Sequence, residues 1–144
     1  MRPLQGALVA LTMMIGSLTA FAQSGTSSEN VVREYAATWN AGNLEAFLAL
    51  HSPDVRKYRR VDATAQFELT TSGLSVVRQK YQPLFAKASR VHVEIVSLTA
   101  LGEIVVSRDR VSGGVDGHVS HELTMYQVRN GLIQNIWYLG REVE

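Results

Sequence analysis

The chain contains no cysteine. No disulfide can staple its fold, and no thiolate can act as nucleophile or metal ligand. Charge of one sign is also missing. Lysine and arginine total 14 against 13 aspartate and glutamate, for a formal net charge of +1. No basic stripe points to nucleic acid, and no acidic tail points to a cationic partner. There is no Gly-x-Ser-x-Gly elbow and no glycine-rich phosphate loop, which leaves nucleophilic catalysis and nucleotide binding without support. Internal repeats and low-complexity segments are absent. No cofactor is expected.

Charge is locally absent at the start. From Leu4 to Phe21 the chain carries none, and it is rich in Leu, Ala, Val, Met and Ile. Met1-Arg2-Pro3 precedes this stretch with one positive charge, and Ala20-Phe21-Ala22 closes it with small residues at the positions a signal peptidase reads. Gly6, Thr12, Gly16, Ser17 and Thr19 dilute the run below the roughly 20 strongly apolar residues of a membrane span. Residues 1–22 are therefore expected to be a cleavable signal peptide, with a periplasmic or secreted product and no stable membrane anchor after cleavage. Residues 23–28 form a polar leader, and 29–144 form a single domain of roughly 120 residues, enough for one core.

Along that domain the pattern is helix, helix, strand, helix, then a long run of strands. Val31, Tyr35 and Trp39 recur at helical spacing, with Ser27 or Ser28 as cap. Gly42 stops this helix and Asn43 caps a short second one with Leu44, Phe47 and Leu48 inward. Ser52-Pro53-Asp54 reads as a turn. Val55 to Val61 reads as a strand with one heavily charged face, and Gln66 to Thr70 as a short extended piece. A third helix is expected from about Ser72 to Ala88, with Leu74, Val77, Tyr81, Leu84 and Phe85 buried and Pro83 late in it. Strands follow at Val91–Ile95, Ile104–Val111, Val119–Val128 and Leu132–Val143. Asn130-Gly131 is a hairpin signal, because both residues tolerate positive φ. The class is α+β, a curved sheet with helices on one face and a hollow between them.

Three stretches carry a family resemblance: Val32–Phe47 with its Asn40-Ala41-Gly42-Asn43-Leu44 element, His51-Ser52-Pro53-Asp54-Val55, and Tyr126–Trp137. The chain resembles the nuclear transport factor 2-like superfamily, in its SnoaL-like and ketosteroid-isomerase-like branch, as an exported bacterial member. The resemblance implies a cone-shaped, curved, mostly antiparallel sheet with three helices from the N-terminal half on its concave face. It implies no particular reaction, since the fold hosts isomerases, hydrolases, cyclases and non-enzymes. Ketosteroid isomerases use a carboxylate base, a tyrosine and a protonated carboxylic acid. Here Tyr35 falls at the tyrosine position, the base position falls near Arg59, and the second donor falls near Thr124. One of three parts survives, so isomerisation by that route is not expected. Limonene-epoxide hydrolase needs an arginine between two pocket carboxylates. Arg108 and Asp109 are adjacent and point to opposite faces of a strand.

Asp109 and Tyr35 are the candidate catalytic residues. Alternation groups Val105, Ser107, Asp109 and Val111 on one face, which the resemblance places against the hollow. A carboxylate there would be desolvated, with a raised pKa. The competing possibility is a surface Asp109 paired with Arg108 or Arg110. Trp39, Tyr58, Phe67, Phe85, Thr124, Tyr126 and Tyr138 are candidate ligand-binding residues, and Glu122 is either a second pocket carboxylate or solvated. Arg56, Lys57, Arg59 and Arg60 form a basic cluster around Tyr58, suited either to an anionic ligand at the pocket mouth or to a solvated edge strand. Among the four histidines, His118 and His121 face opposite ways and His51 reads as a helix C-terminal cap; no metal site is expected. Two functions fit. One is an exported small-molecule protein using Asp109 and Tyr35 for acid–base isomerase, hydrolase or cyclase-type chemistry on a small apolar ligand. The other is a non-catalytic accessory or interaction domain. Apolar residues on both faces of the late strands (Leu123 and Met125 against Tyr126 and Val128) predict a homodimer.

Overall fold

The computed structural model describes residues 27–62 and 64–144. The expected signal peptide at 1–22 lies outside the described residues, as does most of the leader. Helix α1 (Ser28–Ala41) begins where the Ser27 side chain accepts a hydrogen bond from the Asn30 amide, and ends at Gly42 with φ +71°. A side chain at Gly42 would be strained in that left-handed conformation. Asn43 caps α2 (Leu44–Ala49) by accepting from the Ala46 amide. Strands β1 (His51–Val61) and β2 (Gln66–Ser72), helix α3 (Leu74–Phe85), and strands β3 (Val91–Leu101), β4 (Ile104–Gly113), β5 (Ser120–Arg129) and β6 (Leu132–Val143) complete the chain.

The strands make one six-stranded sheet in the order β2-β1-β6-β5-β4-β3. Only β1 and β6 run parallel; the other neighbours are antiparallel. The sheet is curved and unclosed. Register shifts in the β1–β2, β3–β4 and β5–β6 pairs bend it. Its concave face is covered by α1, which lies over β3, β4 and β5, and by α3, which lies over β1 and β2. Inward residues of the strands (Val55, Val105, Ile133 and Ile136) meet Val31, Val32, Phe47, Leu48 and Val77 of the helices in the core. Asn130 and Gly131, with φ of 53° and 74°, turn β5 into β6 as the sequence predicts.

Some local expectations change. Ser52-Pro53-Asp54 is not a turn but part of β1. Its register against β6 breaks between His51 and Arg56, so Pro53, which has no amide hydrogen, sits where no ladder bond is required. The third helix is shorter than expected. Ser72 ends β2, Gly73 (φ +89°) reverses the chain, and the helix stops at Phe85. Pro83 lies in its last turn, and Leu84 is exposed rather than buried. The basic run of β1 is not an edge, because β1 lies between β2 and β6. Alternation puts Lys57 on the buried Val55 face and Arg56 and Arg60 on the exposed one, while Arg59, on the Lys57 face, is exposed further along the strand.

Candidate functional site

Between α1, α3 and the inner face of β4, β5 and β6 lies a cavity of about 230 Å³. Its walls are mostly apolar, from Val32, Ala36, Trp39, Phe47 and Val111 among others. Seven residues singled out from the sequence open onto it: Tyr35, Trp39, Asp109, Glu122, Thr124, Tyr126 and Tyr138. Trp39 is fixed by its indole N–H, which donates to the Val91 carbonyl at 2.9 Å. Asn40 bonds the Val93 backbone through both ends of its amide. Together they tie α1 to β3 and hold the cavity wall in place.

Strand alternation does put Val105, Ser107, Asp109 and Val111 on the inner face, all buried. Asp109 is not a surface charge paired with Arg108 or Arg110; it is 6% exposed. The Ser107 hydroxyl donates a short hydrogen bond to its Oδ1. Burial pushes the Asp109 pKa up, the Ser107 bond pulls it part of the way back, and Glu122 adds to the rise. Glu122 is the residue directly opposite on β5, and it lines the cavity too. Its carboxylate faces Arg141 at 3.5 Å. The cavity therefore carries two neighbouring carboxyls, Asp109 desolvated and Glu122 paired with Arg141 at the mouth.

The opposite wall holds a cluster of hydroxyls. Tyr81 and Tyr138 lie 3.2 Å apart, Oη to Oη. Burial holds the Tyr35, Tyr126 and Tyr138 phenols well above their ordinary range, so each stays a hydrogen-bond donor. Lys57, buried beneath them, donates to the Tyr35 hydroxyl at 3.4 Å. Tyr81 and Lys57 are the site residues that sequence reasoning assigned elsewhere. Tyr81 read as plain helix core, and Lys57 was absorbed into a charged run. The available signal was alternation, which puts Lys57 on the same face as buried Val55.

Three predicted ligand residues are not in this cavity. Phe67 is 43% exposed on β2 and borders a shallow groove on the outer face with Arg60 and Leu123. Tyr58 points outward, because Lys57 next to it points inward; its ring stacks on Trp137 at 5.5 Å. Phe85 lies in the core against Trp39 and Phe47, behind the wall. Arg59 is exposed at the mouth, in a depression that shares Glu122, Thr124 and Tyr138 with the cavity. Among the described residues no cluster of His, Asp and Glu is placed to hold a metal ion.

His51 is the first residue of β1, yet its Nδ1 lies 2.9 Å from the Phe47 carbonyl of α2. Burial, with help from the Lys57 charge, lowers its pKa from 6.5 to about 3. The ring is therefore neutral, its Nδ1–H donates to Phe47, and its buried Nε2 has no partner. Since the unfolded chain binds this proton at a higher pH than the folded one, stability is lost as pH falls below about 6.5. This residue alone is expected to remove about 2 kcal/mol between pH 7 and 5. Urea unfolding of wild type and His51→Gln at both pH values checks this, and equal losses in the two proteins would refute it.

Comparison with known proteins gives the same fold. Residues 32–136 match the SnoaL-like domain family. No curated protein matches the chain. An uncharacterized cystatin-fold protein from Novosphingobium aromaticivorans superposes with a TM-score of 0.66 at 17% identity, covering 81% of this chain and 100% of that one. RV0760c from Mycobacterium tuberculosis, solved with estradiol-17beta-hemisuccinate, gives 0.63 at 18% identity over 78% of this chain and 92% of its own. A protein of ketosteroid isomerase-like fold from Catenulispora acidiphila, solved with trimethylamine, gives 0.60 at 19% identity over 77% and 85%. A six-stranded cone, its helices and most of its length in one family match lead to a single conclusion: the chain belongs to the SnoaL-like domain family, within the nuclear transport factor 2-like fold.

Proposed function

We propose that this is an exported protein whose inner cavity binds a small, mostly apolar molecule and moves a proton on it, in chemistry of isomerase, hydrolase or cyclase type. One observation carries the reading: a desolvated carboxyl, Asp109, and a phenol donor, Tyr35, open onto the same largely apolar hollow. A carboxyl with a raised pKa keeps its proton at a higher pH than a free aspartate, so it can both give and take one. Tyr35 and Thr124 supply hydroxyls for a ligand oxygen. Ketosteroid isomerisation by the three-part route is disfavoured, because Arg59 stands at the base position and cannot accept a proton. Ligand binding is supported by the relatives solved with an estradiol ester and with trimethylamine. Export rests on residues 1–22. The test is native mass spectrometry of the protein recovered from the periplasm or medium. About one small molecule per chain, displaced in Tyr35→Trp, is expected; a protein that stays intracellular and empty argues against the proposal.

A non-catalytic, dimeric accessory role is the second reading, favoured by the sheet's outer face. Leu123 is 41% exposed there. Met125, Trp137 and Tyr58 lie beside it in register across three strands. A second copy of this chain would cover that patch. Light scattering is expected to give twice the chain mass for wild type and the single mass for Leu123→Arg. A wild-type mass that stays monomeric at all concentrations would remove the dimer from both readings.

A further inference from the structure

Lys57 is the feature that the proton-transfer reading does not use. Its side chain is 2% exposed. Its neighbours are the Tyr81 ring, with Nζ 4.1 Å from the centroid, and the Tyr35 and Phe47 rings at 5.6 Å. His51 is near enough to feel its charge but is neutral. Lys80 on α3 is the other cation in the neighbourhood, and its own ammonium is held by the Thr70 carbonyl and the Thr71 hydroxyl. Among the described residues no carboxylate pairs with Lys57. Asp109 lies on β4, three strand positions from β1, and four residues along from Val105, the β4 residue in line with Lys57.

A buried ammonium held by ring faces and the Tyr35 and Tyr81 hydroxyls, with no carboxylate beside it, lacks a full counter-charge. Burial pushes the Lys57 amine down, the Tyr81 oxygen opposes this, and Lys80 adds to the lowering. The same charge acts on Tyr81. Burial alone would raise that phenol, but the Lys57 ammonium and the surrounding hydrogen bonds bring it below its ordinary value. Tyr81 and Tyr138 spend one hydrogen on their mutual bond, so an anion on the cavity side would meet two free phenol hydrogens, one of them from Tyr35, whose oxygen lies 3.4 Å from the Lys57 ammonium. Charge-assisted bonds of that kind are about twice as strong as neutral ones. Asp109 on β4 would repel the same anion, while Glu122 is paired with Arg141, which leaves the hydroxyl side as the place for a negative charge.

We infer that the cavity selects a small apolar carboxylic acid, whose carboxylate seats on the Tyr35–Tyr81–Tyr138 hydroxyls over Lys57 and whose apolar body extends toward Asp109. This names the ligand class for the cavity proposed above and rests on that reading. In it Lys57 is a positioning residue, acting through the tyrosines. Its role is read by charge selectivity, which a purely structural lysine would not set.

The probe pair is 3-phenylpropionate and its neutral amide, 3-phenylpropionamide, titrated by calorimetry into the full folded domain at neutral pH. Wild type is expected to bind the acid about tenfold or more tighter than the amide. Lys57→Met keeps the length of the side chain and removes the charge. It is expected to lose most of the preference for the acid, whatever its effect on binding of the amide. Tyr81→Phe, which keeps the ring over Lys57, is expected to reduce the preference partially, and it carries the test if the lysine variant does not fold. Equal binding of acid and amide by wild type overturns the inference and leaves the apolar cavity reading intact. An undiminished acid preference in Lys57→Met removes Lys57 from the site. Failure of both probes to bind wild type overturns the inference together with the reading it rests on.

Discussion

Asp109→Asn is expected to lower turnover of the natural ligand by about 10²- to 10⁴-fold, the usual contribution of a positioned proton carrier. Affinity is expected to stay close to that of wild type. Asparagine has the same shape, and its Oδ1 can still accept from the Ser107 hydroxyl. What it loses is the ability to exchange a proton. The same variant has a stability signature of definite sign. The folded-state pKa of Asp109 is raised, chiefly by burial, so above the ordinary aspartate value of 3.8 the folded chain holds more protons here than the unfolded one. Stability then falls as pH rises through the folded pKa, and ionised Asp109 is a burden at neutral pH. Asp109→Asn should therefore be more stable than wild type at neutral pH and lose that advantage near pH 3. His51 acts in the opposite direction over the acid range, which is why the two variants must be compared at matched pH. Unchanged turnover would exclude proton transfer by Asp109. A variant less stable than wild type at neutral pH would mean that the Ser107 bond, and not burial, dominates the site.

Much of this cavity was legible in the sequence because its residues obey simple periodicities. Tyr35 and Trp39 stand four apart on a capped helix, and Ser107 and Asp109 stand two apart on a strand. Either period fixes a common face once one member is known to be buried. Helix caps at Ser27, Gly42 and Asn43 were legible for the same local reason. What could not be read was which strand neighbours which. Val55 to Val61 looked like an exposed edge from its charges, but β6 returns from the far end of the chain to pair with it in parallel. That pairing is non-local, and the only local sign of it is the alternation that puts Lys57 on the Val55 face. It turned Lys57 into a buried cation and left Tyr58 outside, one residue away. Phe67 was misplaced for a related reason. An aromatic in a short extended segment reads as core, yet β2 is an edge strand, and most of its residues face solvent.

Phe47→Ala is expected to destabilise the domain by about 3–5 kcal/mol and, at this chain size, to lower the thermal midpoint by more than about 10 °C. The ring is 1% exposed and sits at the centre of an aromatic cluster. It approaches Tyr35 at 4.7 Å, His51 and Tyr81 at 5.0 Å, and Phe85 at 5.1 Å between centroids. Those partners are anchored on α1, α3 and β1, so they cannot all collapse into the space left by one ring. Because Phe47 also forms part of the cavity wall, the vacated volume would join the existing hollow. Two consequences separate from each other. Stability falls through lost burial and the void, while the largest ligand accepted grows. The control is Phe47→Leu, which retains most of the apolar bulk and is expected to recover more than half of the lost stability without enlarging the hollow as far. Urea unfolding gives the first quantity, and a homologous series of aryl acids of increasing size gives the second. A loss below about 1 kcal/mol would place Phe47 among tolerant surface positions and contradict its place at the core. A normal loss with no change in the size limit would separate the ring from the ligand cavity and leave it as core alone.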